Sequence, residues 1–191
     1  MTSEKIILAS KSPRRAKLLQ RHGVSFAVYT ADVEELTDCP QRSELPVLNA
    51  ELKCAAVADL HPEKIVVGAD TVILFDNMIL GKPADTADAV RMLKLLSGKE
   101  HEVITGCAVI CRKTNFIHKF KCVSRVLFRQ LDDEKIREYL SKVKVLDKAG
   151  AYAIQEYGDD IIEKFSGSLD NIIGLPVKEL MEVLTSAITK E

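Results

Sequence analysis

The apolar positions along the chain change their period from one segment to the next. Short apolar runs and alternations typical of β-strands occupy residues 5–10, 25–30, 65–75, 78–80, 102–111 and 116–128. Apolar residues at helical spacing occupy residues 13–22, 46–60, 86–96, 132–142 and a last segment from about 176. Because helices and strands interleave along the whole chain, the pattern predicts an α/β fold.

Polar residues at the ends of these segments sharpen the prediction. Ser12 can cap the first helix with its hydroxyl, and Pro13 suits the first helical turn. Asp85 can cap the helix at 86–96 in the same way. Only a short turn separates the long strands at 102–111 and 116–128, so we expect an antiparallel hairpin within a mixed sheet. The polar, Gly-rich stretch that follows, from 150 to 174, is expected to hold short strands at best.

Length and composition limit the classes of protein to consider. The 191 residues amount to about 1.3 typical domains, so we expect one domain over residues 1–191. The hydrophobic fraction of 47% and the charged fraction of 29% are typical of a packed globular chain and exclude a disordered one. With 27 basic and 28 acidic residues the net charge is −1, and Trp is absent; both facts argue against a nucleic-acid-binding module.

The chain shows no targeting or membrane signal. The first ten residues contain only a short apolar run, and no apolar window free of charge approaches the roughly 18 residues of a membrane span. The five cysteines form no CxxC pair, which favours reduced thiols over disulfides or a zinc site. We therefore expect a cytoplasmic protein that does not interact with membranes.

The first candidate site is the segment from 10 to 15, between a strand and a helix. Its helix-terminal N–H groups, the hydroxyl of Ser12 and the guanidinium groups of Arg14 and Arg15 form a set that suits an anion such as phosphate. The alternative, equally open on these residues, is a capped helix with solvated arginines.

The second candidate is Asp70, inside the apolar strand at 65–75. A charged carboxylate there costs several kcal/mol unless it meets a cation, a metal ion or hydrogen-bond donors. Gly68, two residues earlier, allows another backbone to approach closely. A functional role is favoured, because buried carboxylates without a use are rare; the alternative is pairing with a structural lysine.

Other candidates carry little weight individually. Lys82 lies in the turn Gly81-Lys82-Pro83, Lys53 on a helix and Glu35 in an acidic loop, and each can simply be solvated. Gln155 follows a run of small residues, and its amide can read the edge of a pyrimidine, although a plain surface loop explains it equally well.

Taken together, segments spread over nearly the whole chain resemble the Maf family of nucleoside triphosphate pyrophosphatases, historically described as septum-formation inhibitors. In chain order the segments are LASKSPRRAKLL, LNAELKCAAVA, VVGADTVI, GKP, SGKEHEVITG, DKAGAYAIQ and GSLDNIIGLP. The resemblance implies a single α/β domain whose two lobes surround a mixed, twisted sheet with flanking helices and a central cleft. It also implies a possible homodimer.

The resemblance implies a hydrolase that splits the α–β phosphoanhydride of a nucleoside triphosphate into a monophosphate and pyrophosphate and so cleans the nucleotide pool. Asp70 matches the family's proton acceptor. Arg14, Thr71 and Gln155 match the three positions that sort substrates, and this combination resembles the branch acting on dTTP and UTP. The branch acting on 7-methyl-GTP typically has a bulky aromatic residue where Arg14 stands.

The resemblance further implies how the substrate is held. The matching substrate-binding positions are Ser12, Arg14, Arg15, Lys53, Thr71, Lys82 and Gln155. Glu35 and Asp70 are expected to hold a divalent cation, Mg²⁺ or Mn²⁺. Two departures stand out, because the family usually has Gly where Glu156 stands and Gly-Glu where Val143 and Lys144 stand.

Two alternatives to this function stay open. One is a pyrophosphatase for 7-methyl-GTP or another modified nucleotide, which Glu156 makes conceivable. The other is a nucleotide-binding inhibitor of cell division that acts without turnover. The carboxylate of Asp70 in an apolar strand, together with Lys82, favours an enzyme over a pure binder.

Overall fold

The computed structural model describes residues 6–189 as seven strands and seven α-helices. The strands are β1 (Ile6–Ala9), β2 (Phe26–Val28), β3 (Ile65–Phe75), β4 (Met78–Leu80), β5 (Glu100–Cys111), β6 (Phe116–Phe128) and β7 (Ile162–Ser166). The helices are α1 (Pro13–Arg21), α2 (Leu45–Leu60), α3 (Thr86–Leu96), α4 (Asp133–Lys142), α5 (Gly158–Ile161), α6 (Leu169–Ile173) and α7 (Val177–Thr189). Lys5, which begins the first predicted strand, lies outside the described residues.

The strands form one sheet in the order β2-β1-β3-β5-β6-β7, with β4 paired to β3. Strand β1 is parallel to β2 and β3, whereas β3 pairs with β4, and β6 with β7, in antiparallel fashion. The predicted α/β class and the mixed sheet are therefore confirmed. The strand expected at 25–30 is shorter, and the stretch expected to hold only short strands contains α5 and α6 besides β7.

The chain divides into two compact units. Of the described residues, unit 1 comprises 6–70, 105–122 and 174–189, and unit 2 comprises 71–104 and 123–173. Strands β3, β5 and β6 each begin in one unit and end in the other. The expectation of a single domain over the whole chain stays a prediction.

The core of unit 1 places helix α2 very close to the sheet. Small side chains of α2, among them Ala50 and Cys54, pack with Val66 of β3 in one buried cluster. A Cβ atom added at Gly68 would lie 2.3 Å from the carbonyl oxygen of Ala50 and 2.7 Å from the Cβ atom of Cys54. Only a residue without a side chain permits this approach, so Gly68 sets the distance between helix and strand.

The core of unit 2 is built from larger side chains. Leu93 and Leu96 of α3 pack in one buried cluster with Phe128 of β6 and Tyr139 of α4. Tyr152, from the loop after α4, belongs to the same cluster. This core therefore contains two phenol groups that need hydrogen-bond partners away from water.

The start of α1 differs from the expected capping. Ser12 stands at the N-cap position and Pro13 in the first turn, as predicted, but within residues 6–189 the Ser12 hydroxyl makes no capping hydrogen bond. The hydroxyl of Ser10 instead accepts from the Ser12 backbone N–H at 3.3 Å. The predicted cap of α3 is confirmed, because the Asp85 carboxylate accepts from the backbone N–H of Asp88 at 2.8 Å.

Across residues 6–189, the helices lack the combination of length and apolar character needed to cross a bilayer.

Candidate active site

Lys53 connects two acidic side chains in unit 1. Its ammonium donates to Oδ1 of Asp70 at 2.8 Å and to Oε2 of Glu35 at 3.0 Å. The side chains of Lys53 and Asp70 are only 15% and 16% exposed, whereas that of Glu35 is half exposed. Asp70 therefore meets the cation that its place in an apolar strand requires, and three of the predicted residues lie together.

Asn49 holds the loop that carries Glu35. Its buried amide accepts from the backbone N–H of Leu36 at 2.8 Å and donates to the Leu36 carbonyl at 3.0 Å. Asn49 lies four residues before Lys53 on α2, so both side chains lie on the same helical face. One face of α2 therefore binds both the backbone next to Glu35 and the Glu35 carboxylate.

Arg15 is anchored by protein groups within unit 1. Its Nε donates to the carbonyl oxygen of Gly174 at 2.8 Å, and its Nη1 donates to the hydroxyl of Ser10 at 3.0 Å. Burial lowers the pKa of Arg15, and the negative charges of Asp70 and Glu35 act in the opposite direction. Arg15 thus lies within electrostatic range of the pair of carboxylates that Lys53 connects.

Ser12 and Arg14 accompany Arg15 at the start of α1. Both are partly buried, and they lie at the N-cap and the first turn of a nine-residue helix. The first N–H groups of a helix and its dipole favour an anion at this end. Unit 1 therefore contains both the predicted cationic segment and the predicted carboxylates.

Unit 2 contains the other three predicted residues. Thr71 directly follows Asp70 in β3 and is partly buried, whereas Lys82 and Gln155 are exposed in two loops. A hydrogen bond of 2.9 Å from the backbone N–H of Gly150 to the carbonyl of Gly81 connects these loops. The turn carrying Lys82 and the segment leading to Gln155 are thereby tied to each other.

The donor chemistry of the carboxylate pair suits a divalent cation. Within the described part of the chain, no three His, Cys, Asp or Glu side chains converge as a ligand set. Glu35 and Asp70, however, both point an oxygen at the same cation, the ammonium of Lys53. Mg²⁺ is commonly held by one or two carboxylates, with phosphate and water oxygens completing its shell, so this pair fits such an ion.

A family model described as "Maf-like protein" matches residues 5–187. The chain belongs to the Maf family. This confirms the resemblance drawn from the seven sequence segments.

Relatives of this Maf-family chain bear a common name. A protein of Akkermansia muciniphila named dTTP/UTP pyrophosphatase is 43% identical over 182 residues, covering 94% of each chain. Proteins of the same name from Geobacter sp. (strain M21) and Clostridioides difficile are 43% and 42% identical; the alignments cover 96% and 94% of this chain and 96% and 93% of theirs.

The fold also resembles that of a solved protein from outside this set. The Ham1 protein of Staphylococcus aureus superimposes with a TM-score of 0.56 over 95% of this chain and 98% of its own. At 16% sequence identity this similarity concerns the fold alone.

The sequence pattern left several polar side chains of this Maf-family chain without a predicted role. Asn49 lies in a mostly apolar stretch of α2, which is the kind of break in pattern that could have drawn attention to it. His101, Tyr139 and Tyr152 are buried in unit 2 near the segment of Gln155. Glu156, which stands where the family usually has Gly, lies 3.4 Å from the ammonium of the buried Lys148.

Proposed function

We propose that this chain hydrolyses the α–β phosphoanhydride of dTTP and UTP, giving the nucleoside monophosphate and pyrophosphate. The observation that carries the proposal is the cluster in which Lys53 connects Glu35 and Asp70, in a chain of the Maf family. The shared name of its relatives supports the choice of nucleotides.

Asp70 is proposed as the proton acceptor. The oxygen of a water molecule attacks phosphorus, the anhydride bond breaks, and pyrophosphate leaves with the electron pair of that bond. The proton of the attacking water passes to the carboxylate of Asp70. The Lys53 ammonium, which donates to this carboxylate at 2.8 Å, orients it before the substrate binds.

Cationic and hydroxyl groups are proposed to hold the triphosphate. Ser12, Arg14, Arg15 and the start of α1 suit phosphate oxygens, because helix N–H groups and guanidinium forks bind such oxygens directly. Lys53 and Lys82 add charges that offset the negative charge growing on the leaving pyrophosphate. Phosphoryl transfer depends mainly on positioning and charge neutralisation, which is what such a set of residues supplies.

We also propose a divalent cation, Mg²⁺ or Mn²⁺, as the cofactor. Glu35 and Asp70 would hold it, since one oxygen of each already contacts the same cation, the ammonium of Lys53. When bound, such an ion neutralises phosphate charge and polarises the phosphoryl group.

Arg14, Thr71 and Gln155 are proposed to select the base. The Gln155 amide offers one donor group and one acceptor, which suits the N3–H and O4 edge shared by thymine and uracil. One observation favours a second candidate, a pyrophosphatase for modified nucleotides: Glu156 places an additional carboxylate directly beside Gln155.

The proposed setting is the cytoplasm, where the enzyme would clean the nucleotide pool as a possible homodimer, without nucleic-acid or membrane partners. The cysteine pattern supports a reducing compartment, because the five cysteines are an odd number and form no CxxC pair.

The test is a panel of nucleoside triphosphates, canonical and modified, assayed for pyrophosphate release with Mg²⁺, with Mn²⁺ and with a chelator. We expect turnover of dTTP and UTP in equimolar yield of monophosphate and pyrophosphate, and its loss in the chelator. Release of inorganic phosphate and diphosphate would contradict the bond assignment. Turnover of 7-methyl-GTP or another modified nucleotide alone would favour the second candidate, and binding without turnover would favour a regulator.

A further inference from the structure

Two buried phenol groups hold the segment that leads to Gln155. Tyr139 of α4 is 1% exposed, and its hydroxyl accepts from the backbone N–H of Ala153 at 3.0 Å. The same hydroxyl lies 3.5 Å from the Ala153 carbonyl, to which it donates. Burial raises the pKa of Tyr139 to about 12, so the phenol stays protonated and keeps both contacts.

The second phenol, that of Tyr152, contacts a buried imidazole. Nε2 of His101 lies 2.8 Å from the Tyr152 hydroxyl, and His101 is 2% exposed. Both rings pack edge-to-face on Phe128, with ring centroids 5.0 Å and 4.8 Å away. Burial lowers the pKa of His101 to about 4, so this contact joins two neutral groups at physiological pH. Tyr152 is thus fixed both by packing and by a hydrogen bond.

An ion pair fixes the other side of Gln155. The ammonium of Lys148, which is 5% exposed, lies 3.4 Å from Oε1 of Glu156 and 2.9 Å from Oδ1 of Asp147. Lys148 also donates to the carbonyl of Lys144. Ala153, two residues before Gln155, and Glu156, directly after it, are therefore tied to buried groups, while the Gln155 side chain itself is exposed.

We propose that Tyr139, Tyr152 and His101 are positioning residues that make Gln155 selective for thymine and uracil over cytosine. This inference rests on the proposed function. A primary amide shows a carbonyl on one side and an NH₂ group on the other, so a freely turning glutamine suits either type of base edge. A backbone held in one place limits the side-chain rotamers from which the amide can reach a base, and these buried groups hold the backbone beside Gln155.

The experiment compares kcat and KM for dTTP and dCTP in the wild-type protein and in Tyr139→Phe, with Tyr152→Phe as a second variant. The matched control is Tyr157→Phe, an exposed tyrosine of the same loop region. Losing one hydrogen bond that orders a reading group is expected to lower the ratio of kcat/KM for dTTP over dCTP by about fivefold to tenfold. The change should appear mainly as a higher KM for dTTP, and Tyr157→Phe should leave the ratio unchanged.

A double-mutant cycle separates positioning from general stability. In a Gln155→Ala background, Tyr139→Phe should have no further effect on the ratio, because the group it positions is gone. The same loss in both backgrounds would overturn the inference and show a merely structural hydroxyl. Thermal melting checks that both tyrosine variants are folded. If they are folded and their ratio of kcat/KM for dTTP over dCTP is unchanged, the inference is overturned as well.

The wild-type measurement keeps the two proposals apart. If the wild-type protein turns over dTTP and the variants keep its selectivity, the positioning role is contradicted and the proposed function is not. Wild-type protein that releases no pyrophosphate from either dTTP or UTP contradicts the proposed function, and the positioning role with it.

Discussion

The ammonium of Lys53 lies 2.8 Å from Oδ1 of Asp70, and this contact ties the middle of α2 to the middle of β3. It explains how a carboxylate persists in a strand that is otherwise almost entirely apolar. The contact depends on the close approach that Gly68 allows, because a wider gap between helix and strand would move the ammonium away from the carboxylate.

The first prediction concerns Lys53→Met. The variant leaves Asp70 and Glu35 without their shared cation, and we expect the free energy of unfolding to fall by about 2 kcal/mol, together with most of the activity. The matched control is Lys119→Met. It removes an exposed ion pair between Lys119 of β6 and Glu51 of α2, and it should lower the free energy of unfolding by less than about 1 kcal/mol. Urea unfolding measures the free energy of unfolding of both variants. Equal losses would contradict the claim that the contacts of Lys53 stabilise the fold more than an exposed ion pair does.

The second prediction concerns Asp70→Asn. An amide keeps the shape of the side chain but cannot accept the proton of the attacking water, so kcat for dTTP should fall by about a hundredfold or more. The fold should survive, as a circular dichroism spectrum would check. Asp59→Asn, which removes only an exposed partner of Arg112, should keep full activity. Normal turnover by Asp70→Asn would show that another group takes the proton.

The third prediction concerns Gly68→Ala. The added methyl would meet the Ala50 carbonyl at 2.3 Å, so helix and strand must separate, and we expect a loss of stability of about 2 kcal/mol or more. The control is Gly81→Ala, where the new methyl has no described neighbour within 4 Å. Thermal melting compares the two; a Gly68→Ala protein as stable as its control would show that the helix can move away at little cost.

The fourth prediction concerns Arg14→Trp. If Arg14 helps to select dTTP and UTP, kcat/KM for both should fall about tenfold or more relative to that for 7-methyl-GTP. Arg21→Trp, at the exposed end of the same helix, places the same ring where no selection is proposed and should keep the wild-type profile. An unaltered profile in Arg14→Trp would remove Arg14 from the selecting residues.

The fifth prediction concerns the buried imidazole of His101. Burial lowers its pKa from the ordinary 6.5 to about 4, so the unfolded chain binds this proton more readily than the folded one. The contribution to stability is complete above pH 6.5 and is lost as the pH falls towards 4. Between about pH 7.5 and 5 the loss should be about 2 kcal/mol.

Urea unfolding at the two pH values measures this loss. His101→Gln should show a correspondingly smaller difference between the two pH values, whereas His118→Gln, at an exposed position, should behave like the wild type. A His101→Gln protein with the full pH dependence would show that the loss arises elsewhere.

Local pattern was sufficient for most of the elements. Strand β3 and helix α3 have the predicted bounds, because a mostly apolar run and a capped periodic segment are properties of consecutive residues. The pattern failed at α5 and α6, of four and five residues, because one helical turn is too short to show a period. The pattern also assigned a capping hydrogen bond to the Ser12 hydroxyl, whereas the hydroxyl that accepts a hydrogen bond here is that of Ser10, from the backbone N–H of Ser12.

The sequence by itself determined the fold class, the family and the identity of the candidate residues, because these follow from periodicity and from motifs of consecutive positions. Only the tertiary structure decided which of these residues meet. Lys53 lies 18 residues from Glu35 and 17 from Asp70 along the chain, and Arg15 reaches Gly174 across 159 residues. Such pairings depend on how closely the helices pack on the sheet and on which side chains are buried. The same two factors bring Asn49 to the backbone of Leu36 and His101 to the hydroxyl of Tyr152. No local pattern contains that information.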